Sequence, residues 1–345
     1  MISLKSFRHP RSSWVAPFLF ALGITALSAV STPAARAGQG DDGVQGIGSL
    51  FSWAVSEPGI DIDRGIVFGP HPRHRLDVYR AKLHGSPSRA SNTERSAPPS
   101  SPPTVAMFIY GGSWRDGERA TYRFVGSALA ARGITTVIPD YRLFPDVTFP
   151  GFVDDAALAY KWVADHFKAL SPSNQSKPKA CAQSARIVLI GHSAGAHIAA
   201  MLALDQRFLA QFAPGAEQPA GLVGLAGPYS FDPTTWPSTR DVFIGATNAD
   251  AARPVAFARP GAPPALLMHG SDDTTVKLFN QRDFAAALRG HRNHVEAIEI
   301  PGLAHVGLVL AISQPFRWRA PQVLDRTIAF IREIDAQNLG TTLCR

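Results

Sequence analysis

The chain has 345 residues, of which 45% are hydrophobic and 18% charged, a balance that excludes a disordered protein and fits a globular one. The formal charge of +7 suggests a polyanionic partner at first sight, but no Lys/Arg cluster interleaved with aromatics stands beyond the N-terminus, so nucleic-acid binding is not expected. The length holds one large domain or two small ones, and no internal repeat is visible.

Lys5, Arg8 and Arg11 give a basic start, Val15 to Val30 is uncharged throughout, and Ala35-Arg36-Ala37 supplies a small-x-small cleavage pattern. The apolar run is shorter than the ~20 residues a spanning helix needs, and no cysteine follows it for lipid attachment. Residues 1–37 therefore read as a secretory signal peptide, with an uncleaved membrane anchor as the lesser alternative. Its removal would send residues 38–345 to the periplasm or exterior as one domain, with no membrane span. Cleavage would remove four of the 34 Lys+Arg residues and no acidic one, lowering the formal charge to +3. The two cysteines, Cys181 and Cys344, flank elements expected at one end of the same sheet, so a disulfide and two unrelated thiols are both open.

Asp61 to Val67 and Arg75 to Tyr79 alternate loosely and predict an edge hairpin. Residues 84–103, rich in Ser, Pro, Ala and Asn, read as a surface insertion. Val105 to Ile109 is a buried-strand run ending in Tyr110-Gly111-Gly112-Ser113-Trp114. Thr121 to Arg132 has helical period, Thr135 to Ile138 is a strand, Asp155 to Phe167 an amphipathic helix, and Ser171 to Ser184 a polar loop. Ile187 to Ile190 is apolar and rich in β-branched residues, as in a strand buried on both faces. Helix formers then run from Ala194 to Leu204. A strand at Gly221 to Leu225 leads into an irregular, Pro-rich passage from Gly227 to Pro264. Ala265 to Met268 is a strand, Leu278 to Arg289 a helix, Val295 to Ile300 the last strand, and Pro321 to Ala336 the closing helix. Alternating strands and helices predict a mostly parallel sheet with helices on both faces, whose reactive groups gather beyond the strand carboxyl ends.

Between the Ile187 strand and the Ala194 helix lies Gly191-His192-Ser193-Ala194-Gly195, a G-x-S-x-G sequence. A strand turning straight into a helix crowds the backbone around the serine, and residues without Cβ relieve it. The helix start leaves free N–H groups near the hydroxyl. A serine nucleophile needs a base, and the base needs a carboxylate. Of the 11 histidines, His9 lies in the signal, and His71, His74, His84 and His166 precede the serine, against the order Ser…Asp/Glu…His of this turn. His192 and His197 are expected to pack or hydrogen-bond locally, and His291 and His294 enter the last strand from its N-terminal end. His269 ends a strand beside the acid loop. His305, in the loop Pro301 to His305 after the last strand, is left as the base. For the acid, Asp272 and Asp273 both follow a strand between Ser193 and His305, one of them expected to cap the next helix; Asp232 and Asp241 are weaker choices. The Tyr110–Trp114 turn is the candidate oxyanion site.

On these residues the chain resembles the α/β-hydrolase family, and within it the esterase branch of hormone-sensitive-lipase-type bacterial carboxylesterases and kynurenine-formamidase-like enzymes. The likeness runs from Leu76 to Ile334. It rests on Leu76-Asp77-Val78-Tyr79, the turn ending in Trp114, Asp140-Tyr141-Arg142-Leu143 with Phe149-Pro150, the Gly191–His197 stretch, and His269-Gly270-x-x-Asp273-x-x-Val276. The resemblance implies that Asp273 is the acid, that the oxyanion donors are the N–H groups of Gly112, Ser113 and Ala194, and that Arg142 and Asp155 are structural. The chain departs from the family in having Tyr110 in place of histidine and Ser113 in place of a third glycine. The implied activity is hydrolysis of short-acyl or small-molecule esters with no metal or organic cofactor. An arylformamidase-type amide hydrolase, or a silent hydrolase fold used for binding, are the alternatives. Trp114, Phe144, Tyr229 and Trp236 are the expected pocket residues, although aromatics more often pack in cores. Oligomeric state is not legible.

Overall fold

The computed structural model describes residues 56–82, 104–167 and 185–338, all within one unit, Gln45–Arg345. The signal segment, the insertion at 84–103, the loop at 171–184, Cys181 and Cys344 lie outside the described residues.

Among the described residues eight strands make one sheet: β1 (Ile60–Val67), β2 (Arg75–Ala81), β3 (Thr104–Ile109), β4 (Thr135–Pro139), β5 (Arg186–His192), β6 (Gly221–Leu225), β7 (Ala265–Gly270) and β8 (Val295–Ile300). Their spatial order is β1-β2-β4-β3-β5-β6-β7-β8. β1 pairs antiparallel with β2, and β2 with β4; every later pair is parallel. β6 and β7 are buried at every residue, and β5 at all but Arg186. Successive residues of a strand point to opposite faces, so unbroken burial means that both faces are covered. The terminal strands β1 and β8 are only half-buried.

The helices are α1 (Arg123–Ala130), α2 (Gly151–His166), α3 (Ala194–Leu204), α4 (Gln206–Phe212), α5 (Phe279–Gly290), α6 (His305–Leu310) and α7 (Gln322–Asn338). Four differ from expectation. The first predicted helix begins as a 3₁₀ turn at Arg119–Tyr122 before α1. α2 starts at Gly151, because Asp155 belongs inside the helix: its fully buried carboxylate takes Arg142 Nη2 at 2.7 Å and the Arg142 backbone N–H at 2.8 Å. This ion pair fastens α2 to the loop after β4. α4 and α6, each shorter than two full turns, carry no period long enough to read.

α3 lies unusually close to the sheet. A Cβ on Gly195 would stand 2.0 Å from the Ile109 carbonyl oxygen and 2.3 Å from that of Tyr110, and one on Gly191 would meet the Gly195 oxygen at 2.4 Å. Both glycines are therefore demanded by backbone-to-backbone contact between the end of β3, the end of β5 and the first turn of α3. Gly290, closing α5, has nothing within 4 Å of its virtual Cβ. Gly195→Ala is expected to cost about 3 kcal/mol or more, since a carbonyl cannot retreat as a side chain can. Gly290→Ala should be neutral or stabilising by up to ~1 kcal/mol. Urea denaturation of the two variants checks the contrast.

Candidate active site

Ser193 sits at the junction of β5 and α3 with φ 55° and ψ −124°, a backbone conformation that costs a non-glycine residue roughly 1–3 kcal/mol. Its N–H is taken by the Leu225 carbonyl of β6 at 2.9 Å, so the sheet itself holds the strained residue. The strain lifts Oγ out of the helix.

Ser193 Oγ lies 2.8 Å from His305 Nε2, and His305 Nδ1 lies 2.7 Å from Asp273 Oδ2. A carboxylate only accepts, so Nδ1 carries the proton toward Asp273, and Nε2 is left to accept from the serine hydroxyl. His305 is the first residue of α6 rather than a loop residue. Asp273 is buried. Burial would raise its pKa, but hydrogen bonds from the His269 and His305 imidazoles and from the Val276 N–H outweigh it, holding the carboxyl well below the usual range. Asp273 Oδ1 accepts from the N–H groups of Thr275 and Val276, both at 2.9 Å. Neither Asp272 nor Asp273 caps α5, which begins later and has Leu278 at its N-cap with no side-chain bond. Asp272 is exposed and accepts from the Ser271 hydroxyl at 2.8 Å.

After β3 the chain turns through Gly112 (φ 132°), Ser113 (φ 53°) and Trp114 (φ 59°). A Cβ on Gly112 would stand 1.9 Å from the Asp116 oxygen, so only glycine fits. The Gly112 carbonyl accepts from the Arg115 and Asp116 N–H groups at 2.9 and 3.0 Å. Among the described residues the N–H groups of Gly112, Ser113 and Ala194 have no acceptor. The turn presses on the serine, a virtual Cβ on Gly111 standing 2.9 Å from Ser193 Cβ. The Tyr110 phenol, where the family usually has histidine, donates to Asp140 Oδ1 at 2.8 Å and accepts from Arg73 Nη2 at 3.0 Å. Arg119 also binds Asp140, and reaches Asp77 on β2 at 2.8 Å. A charged network of Arg73, Asp77, Arg119 and Asp140 thus anchors the start of the turn through the Tyr110 phenol.

A cavity of about 220 Å³ opens above Ser193, lined by Ser113, Ala194 and the aromatic rings of Trp114, Phe231, Trp236 and Phe279 among others. Of the four expected pocket residues, Trp114 and Trp236 line it. Tyr229 does not: it is fully buried and stacks on Phe284 with centroids 4.6 Å apart. Nor does Phe144, whose ring lies 4.2 Å under the Arg115 guanidinium carbon. Both positions belong to irregular chain, where no period tells a core-facing ring from a cavity-facing one.

Two buried imidazoles stand behind these groups. His269 Nε2 donates to the Val276 carbonyl at 2.8 Å and lies 3.3 Å from Asp273 Oδ2. His192 Nε2 donates to the backbone carbonyl of His305 at 3.2 Å, and the two rings are 4.9 Å apart. Sequence reasoning expected a local bond for His192 and gave His269 no task. Their spacing from Ser193 and Asp273 was the available signal. Burial and the nearby His305 ring pull the His192 pKa down to about 3, so it stays neutral.

The parallel sheet with these groups at its carboxyl ends is the α/β-hydrolase fold. The family model described as BD-FAE matches residues 96–288, more than half of the chain, and the chain belongs to that family. It is 27% identical over 299 residues to the isoprenylcysteine alpha-carbonyl methylesterase ICME of Arabidopsis thaliana, covering 81% of this chain and 64% of that protein. With esterase LipC of Mycobacterium tuberculosis the identity is 27% over 262 residues, covering 70% and 59%. The chain thus spans somewhat less than two thirds of these relatives' length. Among solved structures, apo Thermogutta terrifontis esterase 2 matches with TM-score 0.59 at 23% identity, over 80% of this chain and 95% of that one.

The His192 geometry yields a pH prediction. Its folded pKa lies below the ordinary value of 6.5, so below that pH the unfolded chain binds a proton that the native state refuses. Stability should therefore be full above pH 6.5 and fall as the pH drops toward 3. His192→Leu should flatten part of that acid slope in thermal melts between pH 7 and 5. By leaving the His305 carbonyl unpaired, it should also lower kcat on a simple ester about tenfold.

Proposed function

We propose that the chain is an exported serine esterase, cleaving short-acyl or small-molecule carboxylic esters through an acyl-enzyme. The observation that carries this reading is the continuous hydrogen-bonded line from Ser193 Oγ through His305 to Asp273. The methylesterase and esterase names of its relatives support the same reaction class. Ser193 Oγ attacks the ester carbonyl carbon while His305 Nε2 takes its proton. Asp273, ionised throughout, stabilises the imidazolium. The carbonyl oxygen becomes an oxyanion against the free N–H groups of Gly112, Ser113 and Ala194, each such donor being worth about 3–4 kcal/mol in comparable sites. Collapse expels the alcohol, which leaves with the proton from His305. Water then attacks the acyl-enzyme by the same path, returning Ser193 and releasing the acid. His192, bonded to the His305 backbone, and His269, bonded to the acid loop, are positioning residues.

Ser193→Ala should abolish hydrolysis of p-nitrophenyl acetate and labelling by a fluorophosphonate while leaving the melting temperature intact; retained turnover would end the proposal. Asp273→Asn should cost on the order of 10³–10⁴-fold in kcat, against little change for Asp272→Asn, because an asparagine facing His305 leaves the imidazole without its anion. Equal losses would displace Asp273 from its role. For export, the mature protein recovered outside the cytoplasm should have its N-terminus after Ala37, which N-terminal sequencing reads directly.

A further inference from the structure

Among the described residues the lining of the cavity above Ser193 includes one cation, Lys277, and no carboxylate. The lysine stands on a fastened wall. Its carbonyl accepts from the Asn280 N–H and from Asn280 Nδ2, both at 3.0 Å. The Oδ1 of that buried amide accepts in turn from the N–H groups of Ser230 and Phe231, at 2.9 and 3.0 Å. One asparagine therefore joins the start of α5 to the aromatic wall that Phe231 provides, and fixes the root of the Lys277 side chain.

The ammonium itself is exposed and forms no ion pair among the described residues. The acids near it in sequence are engaged elsewhere. Asp272 takes the Ser271 hydroxyl, Asp273 the two imidazoles, and Asp283 the Ser230 hydroxyl at 2.7 Å. A second cation, Arg115, reaches the carbonyl of the cavity residue Ser238 at 3.5 Å and is likewise without an ion pair. Apolar walls with uncompensated positive charge at the rim concentrate the field on an incoming anion. A compact ammonium on a flexible stem follows a small anionic group over several positions.

We propose that the ester cleaved at Ser193 carries a carboxylate: its apolar or aromatic body lies along Trp236, Phe231 and Phe279, and its carboxylate meets the Lys277 ammonium. This rests on the hydrolytic reading of Ser193 and adds the substrate class. Lys277 is a specificity residue that touches substrate away from the reacting atoms, so neutral esters should ignore it.

The test uses two pairs of esters differing in charge. On the acyl side these are p-nitrophenyl hexanoate and the mono-p-nitrophenyl ester of adipate. On the alcohol side they are methyl para-acetoxybenzoate and para-acetoxybenzoate. Lys277→Met should lower kcat/KM about three- to fivefold for the carboxylate member of at least one pair, the size of a partly exposed ion pair. The neutral member should stay within twofold. Lys277→Glu should deepen the loss beyond that of Lys277→Met, and raised salt should shrink the wild-type preference. Equal changes in both members, or none in either pair, overturn the assignment. If the wild type turned over none of the four esters, the esterase reading would fall. Lys277 would then be judged by calorimetry with para-hydroxybenzoate, whose affinity must drop in Lys277→Met, and an unchanged affinity overturns the proposal.

Discussion

The architecture of the site depends on two missing side chains. Gly191 and Gly195 let the first turn of α3 rest directly on the carbonyl ends of β3 and β5, closer than any Cβ allows. That contact forces Ser193 into its strained conformation and brings the Ala194 N–H beside the Gly112–Ser113 turn. Strain of this kind persists only where the surroundings over-determine it. Here they do: the Ser193 N–H is fixed to β6, and β5, β6 and β7 are buried on both faces. The sheet thus acts as the rigid support against which one residue is bent.

The acid side is built on the opposite principle, hydrogen bonding rather than steric pressure. Asp273 is fixed through two backbone N–H groups to one oxygen and two imidazoles to the other. His305 is fixed twice as well, by its ring on Asp273 and by its carbonyl on His192. Because every group in this chain is held by something other than the serine, the imidazole keeps its aim at Oγ whatever the hydroxyl does. In the proposed mechanism a neutral His192 matters, since a second imidazolium 4.9 Å from His305 would oppose the charge that His305 takes up.

What was legible in the sequence follows the same physics. Strands buried on both faces write continuous apolar runs, so β5 and β6 were readable and their ends fixed the place of Ser193. The G-x-S-x-G glycines were readable because their reason is local crowding. His305 was reachable through chain order alone, but its place at the start of α6 was not, since six residues hold too little period. The resemblance separated Asp273 from Asp272; the neighbouring sequence does not, as both are acids in one turn. The supporting imidazoles and Asn280 were illegible because their bonds span 113 positions from His192 to His305 and 50 from Asn280 to Ser230. Tyr229 and Phe144 show the same limit for aromatics in irregular chain.

Charge is distributed over the site in a way that separates two tasks. Asp273 is buried, its oxygens spent on imidazoles and backbone, and among the described residues no carboxylate lines the cavity above the serine. The cations at the cavity, Lys277 on its lining and Arg115 behind Ser238, are exposed and without ion pairs among the described residues. In the proposed complex the Lys277 ammonium offsets the charge of the substrate carboxylate, and the oxyanion is left to the N–H groups of the glycine turn and Ala194. Placing the recognition charge on an exposed lysine also keeps its interaction modest, since solvent screens it. Modest binding of the remote group also lets product leave, since a carboxylate gripped tightly at the rim would hold back whichever product carries it.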